Sequence, residues 1–193
     1  EARKAFEREL LDLESQLKIE IDTSKIAKAG KGVLSWPLDK VHITQYFGNT
    51  KFAKSGGYNG SGHNGMDFRA SQGTKVKAAL TGVVTAVGNT DAVSGCYSYG
   101  KFLLIKHNNG LTTLYAHMSF ISVKKGDTVI TGDTVGYSGN TGYSTGPHLH
   151  FTVYASQGVQ IVRYGDYKSK TNCADANIPV APLNAYLNPI DYL

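Results

Sequence analysis

The sequence predicts a mainly β, antiparallel fold preceded by one amphipathic N-terminal helix. Three observations carry that expectation. Glycine (22 residues) and tyrosine (12 residues) are abundant in a chain of 193, a mixture that favours short strands joined by tight turns. From Trp36 onward, short alternating apolar and polar runs recur between turns bearing Gly, Asn and Pro. Helical periodicity is confined to the start, where Phe6, Leu10, Leu13 and Leu17 recur at steps of four, three and four.

Residues 1–22 therefore form the expected helix, with an apolar seam of heptad type. Because the chain starts inside the pattern, this reads as the end of a longer coiled coil with a partner helix. A single helix lying on the domain is the alternative. Residues 23–35, rich in Lys, Ala and Gly, form a linker, and residues 36–193 form one domain. Its strand candidates are Val41–Phe47, Met66–Arg69, Val76–Ala78, Gly82–Val87, Phe102–His107, Leu111–His117, Thr128–Ile130, Thr134–Ser138 and His148–Tyr154. Asn109-Gly110 is a two-residue hairpin signal, with positive φ expected at both positions. An irregular insertion is expected at about residues 156–182.

Composition narrows the class. With 41% hydrophobic and 18% charged residues, the chain is an ordinary globular one. It has no apolar run of 18 residues, so no transmembrane segment is expected. It opens at Glu1 rather than Met and reads as part of a longer or processed protein. The net charge of +5 is scattered, with no basic helix and no nucleic-acid motif. That argues against a nucleic-acid partner and is compatible with an anionic cell wall. Cys96 and Cys173, both in loop-like sequence, would pair in an oxidising compartment and pin two loops together; two free thiols are the alternative.

The chemistry concentrates in four of the six histidines. In His63-Asn64-Gly65-Met66-Asp67, Gly65 speaks against a helix, and in extended chain His63 and Asp67 share parity. An imidazole and a carboxylate on one face are suitable zinc ligands. In the alternating run Leu149–Tyr154, His148, His150, Thr152 and Tyr154 share the opposite face from Leu149, Phe151 and Val153. The two histidines stand roughly 6.6 Å apart at Cα, which suits two ligands or one ligand beside an acid/base group. His117, ending a predicted hairpin strand, is placed to reach the same face. His42 and His107 have no partners in sequence and read as surface or hydrogen-bonded histidines.

His63-x3-Asp67, Tyr115-Ala116-His117 and Ser144-Thr145-Gly146-Pro147-His148-Leu149-His150-Phe151 resemble the signatures of lysostaphin/LytM-type zinc peptidoglycan endopeptidases. The likeness runs from about Trp36 to Tyr154, through Gly65-Met66-Asp67-Phe68, Gly82-Val83-Val84 and Lys124-Lys125-Gly126-Asp127, and resumes at Asn188-Pro189. The resemblance implies a sandwich-like peptidase domain with a groove, and one zinc ion held by His63, Asp67 and His150. It implies His117 and His148 as the unliganded catalytic pair, in an order it does not fix. It also implies a peptidoglycan peptide as substrate and an extracytoplasmic location.

The loops Gly48–Gly62, Asn89–Gly100 and Tyr137–Pro147 would border that groove. Tyr58, Tyr97, Tyr99 and Tyr143 are candidate walls, with plain sheet cover as the alternative. Two segments depart from the family pattern, the long Asn89–Gly100 loop with Cys96 and the 156–182 insertion with Cys173. A Cys96–Cys173 bridge would join them. A non-enzymatic or autoinhibited relative that regulates another wall hydrolase is the second functional reading.

Overall fold

A computed structural model of the chain describes residues 2–51, 54, 62–167 and 171–193. Helix α1 spans Ala2–Gln16. The strands are β1 (Ile43–Gln45), β2 (Met66–Arg69), β3 (Lys75–Lys77), β4 (Gly82–Asn89), β5 (Lys101–His107), β6 (Leu111–Ile121), β7 (Thr128–Val129), β8 (Thr134–Ser138), β9 (His148–Ala155), β10 (Gln160–Arg163), β11 (Asn177–Val180) and β12 (Tyr186–Leu187). β10 and β11 form a two-stranded sheet of their own, and the rest join one ten-stranded sheet. Its path runs β1-β2-β9-β6-β5-β4-β7, with β12 also on β9, and with β8 joining β6 to β3. The pairings are antiparallel.

The sheet is covered on both faces, and strand parity sorts the side chains between two cores. Leu149, Phe151 and Val153 of β9 join Leu103 and Ile105 of β5 in the larger cluster, around Phe68 and Tyr115. Tyr154 of β9 joins Phe102 and Leu104 of β5 and Leu114 and Ala116 of β6 in the second. This explains why β9 is buried almost throughout although its sequence alternates apolar with polar. Its polar members are sequestered in the site described below.

Parity breaks once, where it matters. Along β6 the register to β5 shifts between the pairs Leu103↔Tyr115 and Lys101↔Met118. The extra residue is a β-bulge. Within it His117 has φ 59°, the one left-handed non-glycine residue among those described. Strict alternation would have turned His117 toward the core side occupied by Tyr115. The bulge turns it out, and Met118 returns to the core.

The helix ends at Gln16, not at residue 22, and its seam is used within the chain. Phe6 and Leu10, with Leu13 and Leu17 beside them, pack on Tyr164, Ile178, Val180 and the two cysteines. Burying each such side chain contributes roughly 1.5–3 kcal/mol. Beyond it Ile19-Glu20-Ile21 alternates, and Ile21 packs against the second core. The 23–35 linker is partly structural, with Leu34 only 1% exposed in the main core. The 156–182 insertion is not irregular, because β10 and β11 pair across it. At Asn109-Gly110 only Gly110 has positive φ (82°). The turn holds three residues between paired strands, with Asn109 Oδ1 accepting the Leu111 N–H at 3.2 Å, so one left-handed residue suffices. Among the described residues, no helix is long and apolar enough to cross a membrane.

Candidate active site

Three adjacent strands assemble the histidines. β9 lies between β2 and β6, so that His150 faces Asp67 on one side and Ala116 on the other. His63 precedes β2 and is fixed by two backbone hydrogen bonds with Gly48, of 2.8 and 2.9 Å. Gly65 permits the approach, since a Cβ there would stand 2.5 Å from the Phe151 carbonyl oxygen and 2.8 Å from the His150 ring. The His63 Nε2, Asp67 Oδ1 and His150 Nδ1 atoms then converge. Their separations are 3.3 Å between the imidazoles, 3.3 Å from His63 to Asp67 and 2.9 Å from His150 to Asp67.

Those separations test whether a metal fits. Three ligands of a tetrahedral zinc at about 2.0–2.1 Å stand about 3.3 Å apart. The observed donor triangle is close to that size, and its chemistry, two nitrogens and one carboxylate oxygen, suits zinc. The hydrogen bonds behind the donors set the tautomers accordingly. His63 Nδ1 donates to the Tyr46 carbonyl at 3.0 Å, leaving Nε2 with its lone pair. His150 Nε2 donates to Thr152 Oγ1 at 2.8 Å, leaving Nδ1. Outer partners of this kind orient a ligand and fix its protonation. Burial by itself would raise the Asp67 carboxyl, but the facing imidazoles of His150 and His63 outweigh it and hold the group well below its ordinary range.

Opposite this triangle stand His117 and His148, their ring centres 4.7 Å apart. His117 Nδ1 donates to the Thr141 carbonyl at 2.8 Å. His148 Nδ1 donates to the Gly146 carbonyl at 2.8 Å, with Ser144 Oγ 3.0 Å away. Both rings therefore hold Nδ1–H on backbone and present Nε2 to the cleft. His148 Nε2 lies 3.9 Å from Asp67 Oδ1. Burial, reinforced by the nearby His150 and His148, lowers His117 to about 3. A neutral imidazole with Nδ1–H so held is a proton acceptor through Nε2. The left-handed backbone of His117 (φ 59°) is strained for a residue with a side chain.

The sequence-derived candidates fall into place unevenly. Tyr97, Tyr99 and Tyr143 line the same cleft as the histidines. Tyr97 is exposed, whereas Tyr99 is buried against His150 with ring centres 6.2 Å apart. Tyr58 lies outside the described residues. Cys96 and Cys173 are joined by a disulfide. His42 is exposed, and His107 is buried between the Thr81 carbonyl and Thr113 Oγ1, at 3.0 and 2.9 Å.

Parity places Thr152 on the histidine face, but alternation alone does not show its hydrogen bond to His150. Its signal was a hydroxyl two residues after a histidine on one strand face. Glu14 and Tyr186, which also line the cleft, carry no such signal.

Comparison with known proteins gives this constellation a context. The family model of peptidase family M23 matches residues 61–162. The peptidoglycan DD-endopeptidase ShyA of Vibrio cholerae is 40% identical over 119 residues, 62% of this chain and 24% of that protein. Lysostaphin of Staphylococcus simulans is 39% identical over 118 residues, covering 57% of this chain and 22% of lysostaphin. The chain thus spans about a quarter or less of the length of these curated relatives. The catalytic domain of lysostaphin superimposes with a TM-score of 0.55 at 29% identity, over 78% of this chain and 90% of that one. A zinc-containing peptidase from Vibrio cholerae gives 0.56 at 35% identity, over 67% and 38%.

Proposed function

Because the chain belongs to peptidase family M23, we propose that it is a zinc-dependent endopeptidase that hydrolyses peptide cross-links of bacterial peptidoglycan outside the cytoplasm. The observation that carries the reading is the donor triangle of His63, Asp67 and His150, with two further imidazoles presenting Nε2 across the cleft. His63, Asp67 and His150 are the proposed ligands. When bound, zinc supplies Lewis acidity, polarising the scissile carbonyl and lowering the pKa of water.

The chain's own groups supply the proton traffic. One of His117 and His148 takes a proton from the attacking water through Nε2. The resulting imidazolium donates a hydrogen bond to the developing oxyanion and returns the proton to the leaving amine as the C–N bond breaks. Thr141 and Gly146, by holding the two Nδ1–H groups, keep both rings in the orientation this needs. Tyr97, Tyr99 and Tyr143 are proposed walls for an extended peptide. ShyA is a peptidoglycan endopeptidase and ALE-1 of Staphylococcus capitis a glycyl-glycine endopeptidase by name, which supports the substrate class.

A second reading has one observation behind it. Residues of α1 line the cleft, so that the helix would restrain access and the chain would act as a regulated or inhibitory relative. Zinc content of the purified chain is the first measurement, and about one ion per chain is expected. Release of new amino groups from purified cell walls is the second. Both should be lost in His150→Ala, and release alone in His117→Ala. Cleavage that survives these substitutions would sink the assignment.

A further inference from the structure

Chain segments distant in sequence meet behind His117. After β4 a short 3-10 helix covers Thr90–Ala92. Two hydrogen bonds tie it to Gly100, from the Thr90 N–H to the Gly100 carbonyl at 3.0 Å and from the Gly100 N–H to Thr90 Oγ1 at 2.8 Å. Next to Gly100, the Tyr99 carbonyl accepts the His117 N–H at 2.9 Å. Thr141 and Gly142, in the loop between β8 and β9, close the group. Gly142 comes so near that a Cβ on it would stand 2.2 Å from the Ser98 carbonyl oxygen and 2.3 Å from the Gly100 nitrogen.

Thr141 grips the bulge of β6 with both its side chain and its backbone. Its hydroxyl donates to the Met118 carbonyl at 2.7 Å and accepts the Lys101 N–H at 3.0 Å. Lys101 and Met118 are the pair that closes the bulge between β5 and β6. The Thr141 carbonyl, which accepts the His117 Nδ1–H at 2.8 Å, is itself held from the other side. It shares a peptide unit with the Gly142 N–H, and that N–H donates to Asp91 Oδ2 at 3.0 Å. A peptide unit is planar, so fixing its N–H fixes its carbonyl. A carboxylate on the N–H also polarises the carbonyl and strengthens the bond it accepts. Asp91, the Thr141–Gly142 peptide and the His117 ring thus form one hydrogen-bonded chain. Only its last member lines the cleft.

We propose that Asp91 and Thr141 are positioning residues for the reaction, which hold His117 in its left-handed backbone and keep its Nε2 turned to the cleft. That backbone is unfavourable for a residue with a side chain and persists only where its surroundings impose it. A small swing of the ring takes Nε2 out of reach of the reacting atoms, and misplacement by about 1 Å costs up to about 100-fold in rate. This rests on the peptidase reading and adds to it a carboxylate that lies outside the cleft.

The test measures kcat and KM of the zinc-loaded full chain on soluble cross-linked peptide dimers from peptidoglycan. Proton–nitrogen NMR of the histidine ring N–H groups accompanies it. Asp91→Ala should lower kcat about tenfold, the loss of one charge-assisted hydrogen bond. Thr141→Val should lower it about 10- to 100-fold. KM should stay at its wild-type value in both, because neither residue touches the peptide. Asp91→Asn restores an acceptor and Thr141→Ser a hydroxyl, and each should recover most of the rate. In the two damaged variants the His117 ring N–H should exchange faster with water. That of His148, held by the Gly146 carbonyl, should exchange as in wild type. Asp91 is exposed, so its alanine variant decides the matter even if Thr141→Val does not fold. An unchanged kcat or an unchanged His117 signal in Asp91→Ala overturns the proposal. So does a loss in which KM or the His148 signal moves with kcat, the result of a loosened domain. If wild type cleaves nothing, the peptidase reading fails, and the ring signals alone decide whether Asp91 and Thr141 hold His117.

Discussion

The two ends of the cleft are built on opposite terms. At the histidine end, five polar side chains come from neighbouring positions on β2, β6, β9 and the chain before β2, and hydrogen bonds to backbone and to Thr152 hold them. At the α1 end, chain segments far apart in sequence meet through an apolar cluster. Phe6 stacks on Tyr164 with ring centres 5.2 Å apart, and the Cys96–Cys173 disulfide lies in the same cluster. The first end is specified by register and can bind a charge. The second is specified by hydrophobic burial and a covalent tie. The two should therefore fail differently when damaged.

The largest effect belongs to the histidine end. In His150→Ala the donor triangle loses one corner while β9 keeps its place between β2 and β6. Loss of several kcal/mol of electrostatic activation is about a 10³-fold or greater fall in peptide cleavage. Thermal unfolding of the zinc-free variant should stay close to that of the zinc-free wild type. A large loss of zinc-free stability would show that the site residues also hold the fold, and the contrast between the two ends would be wrong.

The α1 end should show the reverse. The disulfide closes a separation of 77 residues. In the chain-entropy account, replacing both cysteines by serine removes about 4 kcal/mol of stability. Zinc affinity of the folded protein should be unchanged, because none of the three proposed ligands touches the bridge. Chemical denaturation and zinc titration of the same double variant check both halves of that statement.

The same contrast explains what was legible in the sequence. β2 and β8 match their expected bounds, and β9 extends its expected run by one residue, because alternation is a local property that register preserves. His63, Asp67, His148 and His150 were legible as partners for the same reason. Which of the two β9 histidines belongs to the donor triangle was not, since parity places both on one face. His117 was reachable only in outline, as its orientation depends on a bulge whose one trace is a positive φ at a non-glycine residue. Glu14, Tyr186 and the β10–β11 pairing were not legible. They depend on contacts between the helix and the last third of the chain, and no local period records such contacts. The apolar seam of the helix is legible in the sequence, but its packing on Tyr164, Ile178 and Val180 is not.

Glu14 makes the α1 end sensitive to pH. Burial pushes its carboxyl from an ordinary value near 4.5 up to about 7, against the pull of the Tyr186 and Ala181 hydrogen bonds. The folded state therefore holds this proton more tightly than the unfolded state. Its contribution is complete below about pH 4.5, falls as pH rises towards 7, and is level above that. The span corresponds to about 3 kcal/mol. Glu14→Gln should remove it, so that the variant gains on wild type between pH 5 and 7 and keeps a constant lead above. Parallel denaturation curves at pH 5 and pH 8 measure the difference. Equal differences at the two pH values would mean that Glu14 is ionised throughout.

The finest test returns to the histidine end, at a residue that touches no substrate. Thr152 Oγ1 accepts the His150 Nε2–H at 2.8 Å and is fully buried. Thr152→Val keeps the shape of the side chain, and β9 with it, but leaves that N–H without an acceptor. The alternative tautomer, with the proton on Nδ1, then gains ground and removes the lone pair from the donor triangle. Loss of such an outer partner lowers metal affinity about 10- to 100-fold. Cleavage at saturating zinc should recover most of its wild-type rate, because the histidine pair across the cleft is untouched. A competition titration against a zinc chelator reads the affinity directly. Unchanged affinity would mean that Asp67 alone, 2.9 Å from Nδ1, is enough to orient the ring, and that the histidine end depends less on its hydrogen bonds than its geometry suggests.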